Sequence, residues 1–144
     1  ERHLASDPPK QAELEALRDD VRRTIETEVP SEVRGGVTAG IAVAGTATSL
    51  AAIDLVLDPY DPERVHGHGL SLAVCREMLA DLASKTLEER RNVTGLNPDR
   101  APTIVAGATI LVEAMRAFDL DQMEVSEADL LYGAALSAAR WTDG

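Results

Sequence analysis

An uncharged segment at residues 40–53, GIAVAGTATSLAAI, contains the residues best suited to bind an anion. Its first half has the pattern of a buried strand and its second half that of a helix, so a turn falls at Gly45-Thr46. The first amides of a helix have no partners within the helix and carry a partial positive charge. Glycine lets a ligand approach the backbone, and threonine hydroxyls cap helices or donate to phosphates. The candidate phosphate-binding residues of this turn are Gly45, Thr46, Ala47 and Thr48.

The same turn can also be interpreted as a tight turn inside a hydrophobic core. No lysine follows it, which excludes a Walker-type phosphate loop, and the third glycine of a dinucleotide-binding motif is missing. The residues alone therefore leave both interpretations open. Arg100 is a further candidate, because it lies just before a predicted helix start and a guanidinium can bind a phosphate through two hydrogen bonds. The alternative for Arg100 is a surface ion pair.

Other reactive side chains favour structural roles. His66 and His68 flank a glycine, but no cluster of cysteines or carboxylates at metal-ligand spacing accompanies them, so we predict no metal site. Cys75 lies in a helical pattern and is interpreted as a small buried hydrophobe. Arg90 and Arg91 are interpreted as partners of nearby surface carboxylates. No pair of carboxylates indicates acid–base catalysis, and we predict no catalytic residue in this chain.

The elements that position these residues are predicted to be mostly helices. A first helix has one apolar face and ends at Pro30. Its inner residues are Leu14, Leu17, Val21 and Ile25. A buried strand over residues 37–44 leads into the turn at Gly45. A helix then follows from about residue 47 to residue 55.

More helices and one short strand are predicted in the second half. Ser71 caps one helix, and Thr86-Leu87-Glu88-Glu89 has the pattern of a capping box for a short one. Pro102 suits the first position of a long helix. A short strand covers residues 122–125, and a last helix begins near Ser126. The inner faces consist of Leu70, Val74, Met78 and Leu82; Ile104, Ala108, Leu111, Met115 and Phe118; and Leu130, Ala134 and Ala138.

Length and composition indicate one helix-rich domain with a small sheet. The 144 residues are 44% hydrophobic and only 3% aromatic, so the core must consist of aliphatic side chains. The net charge of -11 argues against a nucleic-acid partner and against binding to an anionic membrane surface. With a single cysteine and no visible signal peptide, we expect a reducing, cytoplasmic location.

Four segments, taken in order, resemble one family. They are residues 40–53, RVHG at 64–67 followed by Leu70-Ser71, LNPDRAPTIVAGA at 96–108, and Val125-Ser126 with Gly133. This set is similar to the exopolyphosphatase and guanosine-pentaphosphate phosphatase (Ppx/GppA) family of the actin-like, sugar-kinase-like superfamily. The resemblance implies an α/β, helix-rich fold that forms part of an actin-like lobe with a small sheet and packed helices.

The resemblance also implies an activity. Members have two lobes and remove the terminal phosphate of polyphosphate or guanosine pentaphosphate, with magnesium as the usual metal and a first-lobe glutamate as general base. It implies that the Gly45-Thr46 turn faces the cleft between the lobes and that Arg100 contacts the anionic substrate. His66 is implied to be structural or near the substrate.

The sequence departs from the family pattern in two places. It contains no Asp-x-Gly phosphate loop, and Leu131-Tyr132-Gly133 replaces an Arg-Glu-Gly-like ending. We therefore expect residues 1–144 to be a single domain, a partial C-terminal lobe whose N-terminal lobe is a missing partner. The isolated chain is expected to be inactive and to bind no magnesium alone.

Two further expectations follow. A strand over residues 37–44 without its neighbours would expose apolar surface, so we expect helices or self-association, such as a homodimer, to cover it. The alternative function is a non-enzymatic, acidic helical interaction module. In that case the helix over residues 10–28 binds a partner and the Gly45 turn belongs only to the core.

Overall fold

The structure, a computed structural model, describes residues 3–141. Most of this part of the chain is helical. The helices are α1 (Gln11–Glu28), α2 (Ser31–Gly35), α3 (Ala44–Asp54), α4 (Pro62–Val65), α5 (Leu72–Ser84), α6 (Leu87–Arg91), α7 (Ile104–Ala117) and α8 (Leu130–Trp141), and a 3-10 turn covers Pro98–Arg100. The strands are β1 (Ile41–Val43), β2 (Gly69–Ser71) and β3 (Gln122–Ser126).

The strands form a small mixed sheet in the order β1-β3-β2. β1 runs parallel to β3, with Ala42 opposite Val125, and β2 runs antiparallel to β3, with Leu70 opposite Met123. Ala42, Leu70 and Val125 are buried, so one face of the sheet packs on the helices. β1 thus forms an edge of the sheet at the point where the chain enters α3.

Local hydrogen bonds begin several helices where the sequence predicts. The Ser71 hydroxyl accepts the amide of Val74 at 3.2 Å and caps α5. Thr86 and Glu89 form the predicted capping box of α6, and these hydrogen bonds, mainly from the Thr86 amide, lower the pKa of Glu89. At α1 the Glu13 carboxylate accepts the Lys10 amide at 2.8 Å, which lowers the pKa of Glu13.

The core is centred on α7, which packs against α1, α3 and α5. Its side chains are aliphatic, as the composition predicts. The fully buried residues include Leu50, Val65, Leu70, Leu82, Ile104, Val112, Met115 and Val125. α3 contacts both α7 and the three strands of the sheet.

The predicted strand over residues 37–44 is wrong in extent and in burial. Only Ile41–Val43 pairs, α3 begins at Ala44 rather than near residue 47, and Ile41 and Val43 are 66% and 45% exposed. The C-terminal limit has a physical reason: among the described strands β1 pairs with β3 alone, and Val43 lies opposite Ser126, the last residue of β3. Pro102 likewise precedes α7, which starts at Ile104, while Pro98 opens the 3-10 turn. β2, at three residues, is too short to produce a periodic pattern.

The predicted inward face of α8 is also wrong. Leu130, Ala134 and Ala138 are exposed, and Leu130 retains 88% of its accessible surface. The apolar periodicity is present, but no described element covers it. No helix within residues 3–141 combines the length and the apolar character needed to cross a membrane.

Candidate functional site

A cleft of about 700 Å³ lies between the N-terminal half of α3 and the loop that leads from α6 to α7. Gly45, Thr48 and Ser49 form one wall, and residues 91–98 with Arg100 form the other. Asp58 and Tyr60 line the remaining side. Two segments that the sequence marks as candidate anion sites therefore face the same space.

The chain passes from β1 into α3 without an intervening loop. Ala44 makes this turn in the left-handed region, with φ of 67°, which is strained for a residue with a Cβ. Within the described residues no side chain caps α3, and the Thr48 hydroxyl donates back to the Ala44 carbonyl at 3.4 Å. The first amides of this 11-residue helix therefore have no side-chain partner among the described residues at its positive end.

The Arg100 guanidinium lies directly over Gly45. A Cβ placed on Gly45 would be 2.7 Å from Nη2 and 2.9 Å from Nη1 of Arg100, so a side chain at this position would displace the guanidinium. Among residues 3–141 the Arg100 side chain makes no hydrogen bond or ion pair, although Asp99 is its neighbour in sequence. An unpaired cation thus stands at the positive end of a helix, and the two fields add.

The five predicted site residues divide into two groups. Gly45, Thr48 and Arg100 line the cleft. Thr46 faces α7 instead, since a Cβ on Gly107 would lie 2.9 Å from the Cγ2 atom of Thr46. Ala47 is buried in the core. Neither Thr46 nor Ala47 is among the residues that line the cleft, so Gly45, Thr48 and Arg100 are the predicted site residues that the fold brings together. A binding role for all five residues stays a prediction.

The loop that carries Arg100 is packed tightly on α3. Gly95 has a φ of +88°, and a Cβ on it would lie 2.5 Å from the carbonyl carbon of Ala52, so only glycine allows this approach. Leu96 is buried beside it. Arg91, predicted to form a surface ion pair, has no such pair in the described chain and lines the cleft instead.

Arg90 is a second correction, because it is buried rather than paired at the surface. It is 5% exposed, and its carboxylate partner is Asp7, at 3.1 Å, not one of the neighbouring glutamates. Periodicity does not reveal this role, since α6 is only one turn and a half long and both arginines at its end appear equivalent in sequence.

Tyr60 and Glu127 extend the site and were missed by sequence reasoning. The Tyr60 hydroxyl donates to the Glu127 carboxylate, and partial burial, with that carboxylate, raises the pKa of Tyr60 to about 12. The phenol therefore stays protonated and acts as a donor. The Glu127 amide donates to His66 Nδ1 at 3.2 Å, so His66 holds the loop between β3 and α8.

The two histidines do not converge on one point. His68 Nε2 lies 2.7 Å from Asp54 Oδ2, whereas His66 bonds the Glu127 amide. In the described part of the chain no group of three or more His, Cys, Asp or Glu side chains is arranged to hold a metal ion. These residues therefore do not fit a magnesium site of their own.

Cys75 is fully buried. Burial, with a smaller contribution from the Asp54 charge, raises the pKa of its thiol to about 11. A protonated, inaccessible thiol is not a nucleophile. This agrees with its interpretation as a small hydrophobe.

Comparison with known proteins decides the family. A model of the Ppx/GppA phosphatase family matches residues 1–140. The chain belongs to this family. Exopolyphosphatase 2 of Mycobacterium tuberculosis is 32% identical over 143 residues, which are 96% of this chain and 45% of that protein. Exopolyphosphatase 1 of Mycobacterium bovis is 29% identical over 123 residues, 85% of this chain and 36% of that protein.

Solved Ppx/GppA structures have the same fold. The Aquifex aeolicus family member superposes with a TM-score of 0.88 at 26% identity, over 99% of this chain and 45% of that one. An exopolyphosphatase-like protein gives a TM-score of 0.86 at 28% identity, over 98% of this chain and 47% of that one. The predicted fold class, a helix-rich part of an actin-like lobe with a small sheet, is confirmed. The chain spans a little under half the length of these Ppx/GppA relatives.

Proposed function

We propose that this chain is the later part of the C-terminal lobe of a two-lobed Ppx/GppA phosphatase and supplies one wall of its substrate site. The substrate class is a linear phosphoanhydride, either inorganic polyphosphate or guanosine pentaphosphate, which loses its terminal phosphate to water. The names of the two mycobacterial relatives support the polyphosphate part of this proposal.

The observation that carries the proposal is the unpaired Arg100 guanidinium over Gly45 at the open N terminus of α3. Two sources of positive potential repel each other, and an anion bound between them offsets this repulsion by attracting both. The chain is otherwise strongly acidic, with a net charge of -11, so this local reversal of sign selects a place for a phosphate group. The cleft of about 700 Å³ has room for several linked phosphates.

In the proposed reaction, water forms a bond to the terminal phosphorus while the bond from that phosphorus to the bridging oxygen breaks. Catalysis of such a transfer depends on positioning and on stabilising charge on the phosphate oxygens. Arg100 and the amides at the start of α3 provide these donors. We assign the general base and any bound magnesium to the remainder of the protein, so the isolated chain is expected to bind substrate without hydrolysing it.

Isothermal titration with inorganic tripolyphosphate tests the binding. Arg100→Gln is expected to weaken binding about tenfold, since it removes a charge-assisted contact. Arg23→Gln is the matched control, because it makes the same change of charge on the exposed side of α1, far in sequence from the cleft residues. Equal affinities for the two variants would overturn the proposal. Competition with guanosine pentaphosphate then ranks the two substrates.

Phosphate release from long-chain polyphosphate in the presence of magnesium tests the expected inactivity. The isolated chain should release phosphate no faster than a blank. Turnover comparable with that of a two-lobed phosphatase would show that the chain contains its own base.

One observation favours a second candidate, a non-enzymatic interaction module. Apolar residues of β1 and α8 are exposed, among them Ile41, Val43 and Leu131. The apolar face of α1 is not available for this role, because Leu14 and Leu17 are buried and α1 packs on α7. A chain that associates with a partner and fails to bind tripolyphosphate would support the module over the phosphatase.

A further inference from the structure

We infer that Arg90 is a positioning residue for the anion site, because it holds the turn that places Arg100 over Gly45. This inference rests on the proposed function. Arg90 lies on α6, outside the cleft lining, and acts through the backbone of its neighbours.

Four hydrogen bonds fix the Arg90 guanidinium. Nε donates to the Ala101 carbonyl at 3.2 Å, and Nη1 donates to the carbonyls of Lys85 at 2.6 Å and Leu82 at 3.3 Å. Nη2 donates to Asp7 Oδ1 at 3.1 Å. The planar fork of arginine thus joins the end of α5, the N-terminal segment and the residue after Arg100.

The bond to Ala101 is the one that reaches the site. Ala101 is fully buried and directly follows Arg100. The turn is tightened by hydrogen bonds from the Arg100 amide to the Asn97 carbonyl at 2.8 Å and from the Ala101 amide to the Pro98 carbonyl at 3.2 Å. Any shift of the Ala101 carbonyl must therefore move the backbone that carries the Arg100 side chain.

The loop is held at two points, and Arg90 provides one of them. The other is Gly95, whose close approach to Ala52 places the loop against α3. Arg100 follows Gly95 by five residues and precedes Ala101, so its backbone is confined between the two anchors. This explains why an exposed arginine with no side-chain partner among residues 3–141 lies at one defined place over Gly45.

Asp7 is the carboxylate that orients Arg90. It accepts from Arg90 and also from the Leu87 amide at 2.8 Å, so it binds the first amide of α6 and the guanidinium at once. Lysine cannot replace arginine here, because a single ammonium cannot reach acceptors on three separate segments. Asparagine at position 7 keeps an acceptor for the Leu87 amide but loses the charge facing Arg90.

A buried carboxylate with two partly exposed arginine partners provides a control for loss of stability alone. Glu113 on α7 is buried and bonds Arg22 at 3.2 Å and Arg116 at 2.8 Å. None of these three residues lines the cleft. Glu113→Gln therefore disturbs a buried charged network without touching the Arg100 turn.

Nuclear magnetic resonance on the 144-residue chain tests the inference without a ligand. The wild type should show a nuclear Overhauser effect between the Arg100 side chain and the Gly45 α-protons. Arg90→Lys and Asp7→Asn should lose or weaken it, whereas Glu113→Gln should retain it at a temperature where all variants are folded. If Arg90→Lys does not fold, Asp7→Asn alone decides the outcome. Retention of the contact in the folded Asp7 or Arg90 variants would overturn the inference.

Titration with tripolyphosphate adds the functional readout. Arg90→Lys is expected to weaken binding by about tenfold, close to the effect of Arg100→Gln, because both remove the same contact. The double variant should then bind no more weakly than Arg100→Gln. Additive losses would overturn the inference. A wild type that shows the Arg100–Gly45 contact but does not bind tripolyphosphate would refute the proposed function and leave the positioning role supported.

Discussion

Two regions of the molecule contain similar apolar amino acids but differ in burial. One is the contact between α3 and α7, and the other is formed by the exposed apolar residues of β1 and α8. In the first region Leu50, Ala51 and Ala108 have no exposed surface. In the second, Leu131 is 78% exposed and Leu130 even more so. The two helices α7 and α8 both show an apolar stripe in sequence, yet only α7 is covered.

This difference shows that an apolar stripe in the sequence does not by itself lead to burial. Periodicity identifies the face of a helix that gains free energy by leaving water, but the gain is realised only against a partner. α7 finds α1, α3 and α5, whereas no described element covers the stripe of α8. We expect the exposed residues of β1 and α8 to be the surface on which a second copy, or the proposed remainder of the protein, packs.

Truncating one leucine in each region should give the largest difference in the free energy of unfolding. Leu50→Ala removes a fully buried side chain and should lower the free energy of unfolding by about 3 kcal/mol. Leu130→Ala removes an exposed one and should change it by less than about 0.5 kcal/mol. Urea unfolding at neutral pH measures both. Similar losses would mean that α8 packs on the core in solution.

Two glycine-to-alanine substitutions should also change the stability of the two regions in opposite directions. A Cβ on Gly107 meets Thr46 at the α3–α7 contact, so Gly107→Ala should destabilise the protein by about 2 kcal/mol. A Cβ on Gly133 in α8 meets no atom of the described residues within 4 Å, so Gly133→Ala should favour the helix by about 0.5 kcal/mol or more. The two variants are compared by their thermal unfolding midpoints and by their helical circular dichroism signals. If both variants behave alike, close packing of α3 on α7 is not what distinguishes the regions.

Self-association of the chain should depend on the exposed apolar surface of β1 and α8. We expect the 144-residue chain to form dimers or larger species as its concentration rises, because β1 has a free edge and exposed apolar residues. Leu131→Lys should weaken this association about tenfold, since it removes an apolar contact and adds a charge. Ala73→Lys, at an exposed position of α5, controls for the added charge. Sedimentation velocity that finds only monomers at all concentrations would contradict this expectation.

The smallest effect concerns Cys75 in the buried region. Its pKa is raised to about 11, above the ordinary value, so the unfolded chain loses the thiol proton first as the pH rises. The resulting stability is fully present below about pH 9 and fades as the pH approaches 11. Cys75→Ala should remove this part of the alkaline decline in urea unfolding experiments run at several pH values.

A thiol placed on the exposed surface provides the reference. At pH 8 the native Cys75 should react with a maleimide far more slowly than Leu136→Cys in a Cys75→Ala background, because Leu136 is exposed on α8. Equal labelling rates would show that the core around Cys75 opens readily.

Much of the local structure could be predicted because it depends on near neighbours. The end of α1 near Pro30, the Ser71 cap of α5 and the capping box of Thr86 and Glu89 involve groups within a few residues of one another. The family could also be recognised from the order of four short segments. The C-terminal end of β1 could not be predicted, because it coincides with the end of β3, a strand far away in sequence.

The residues of the candidate site could be predicted from the sequence, but their arrangement in space could not. Gly45 and Arg100 stand out in sequence as an ambiguous turn and an arginine before a helix. Arg90 and Arg100 look alike, and only the fold buries one in a network with Asp7 and leaves the other open to the cleft. Thr46 and Thr48 look alike as well, although one faces α7 and the other faces the cleft.

The sequence by itself determined the helices and their caps, the aliphatic core, the acidic charge and the family, because each depends on composition or on residues close in the chain. The tertiary structure alone decided which apolar stripes are covered, which arginine is buried, and that Arg100 lies over Gly45. These outcomes depend on contacts between segments far apart in sequence, and their free energies arise only when both partners are brought together.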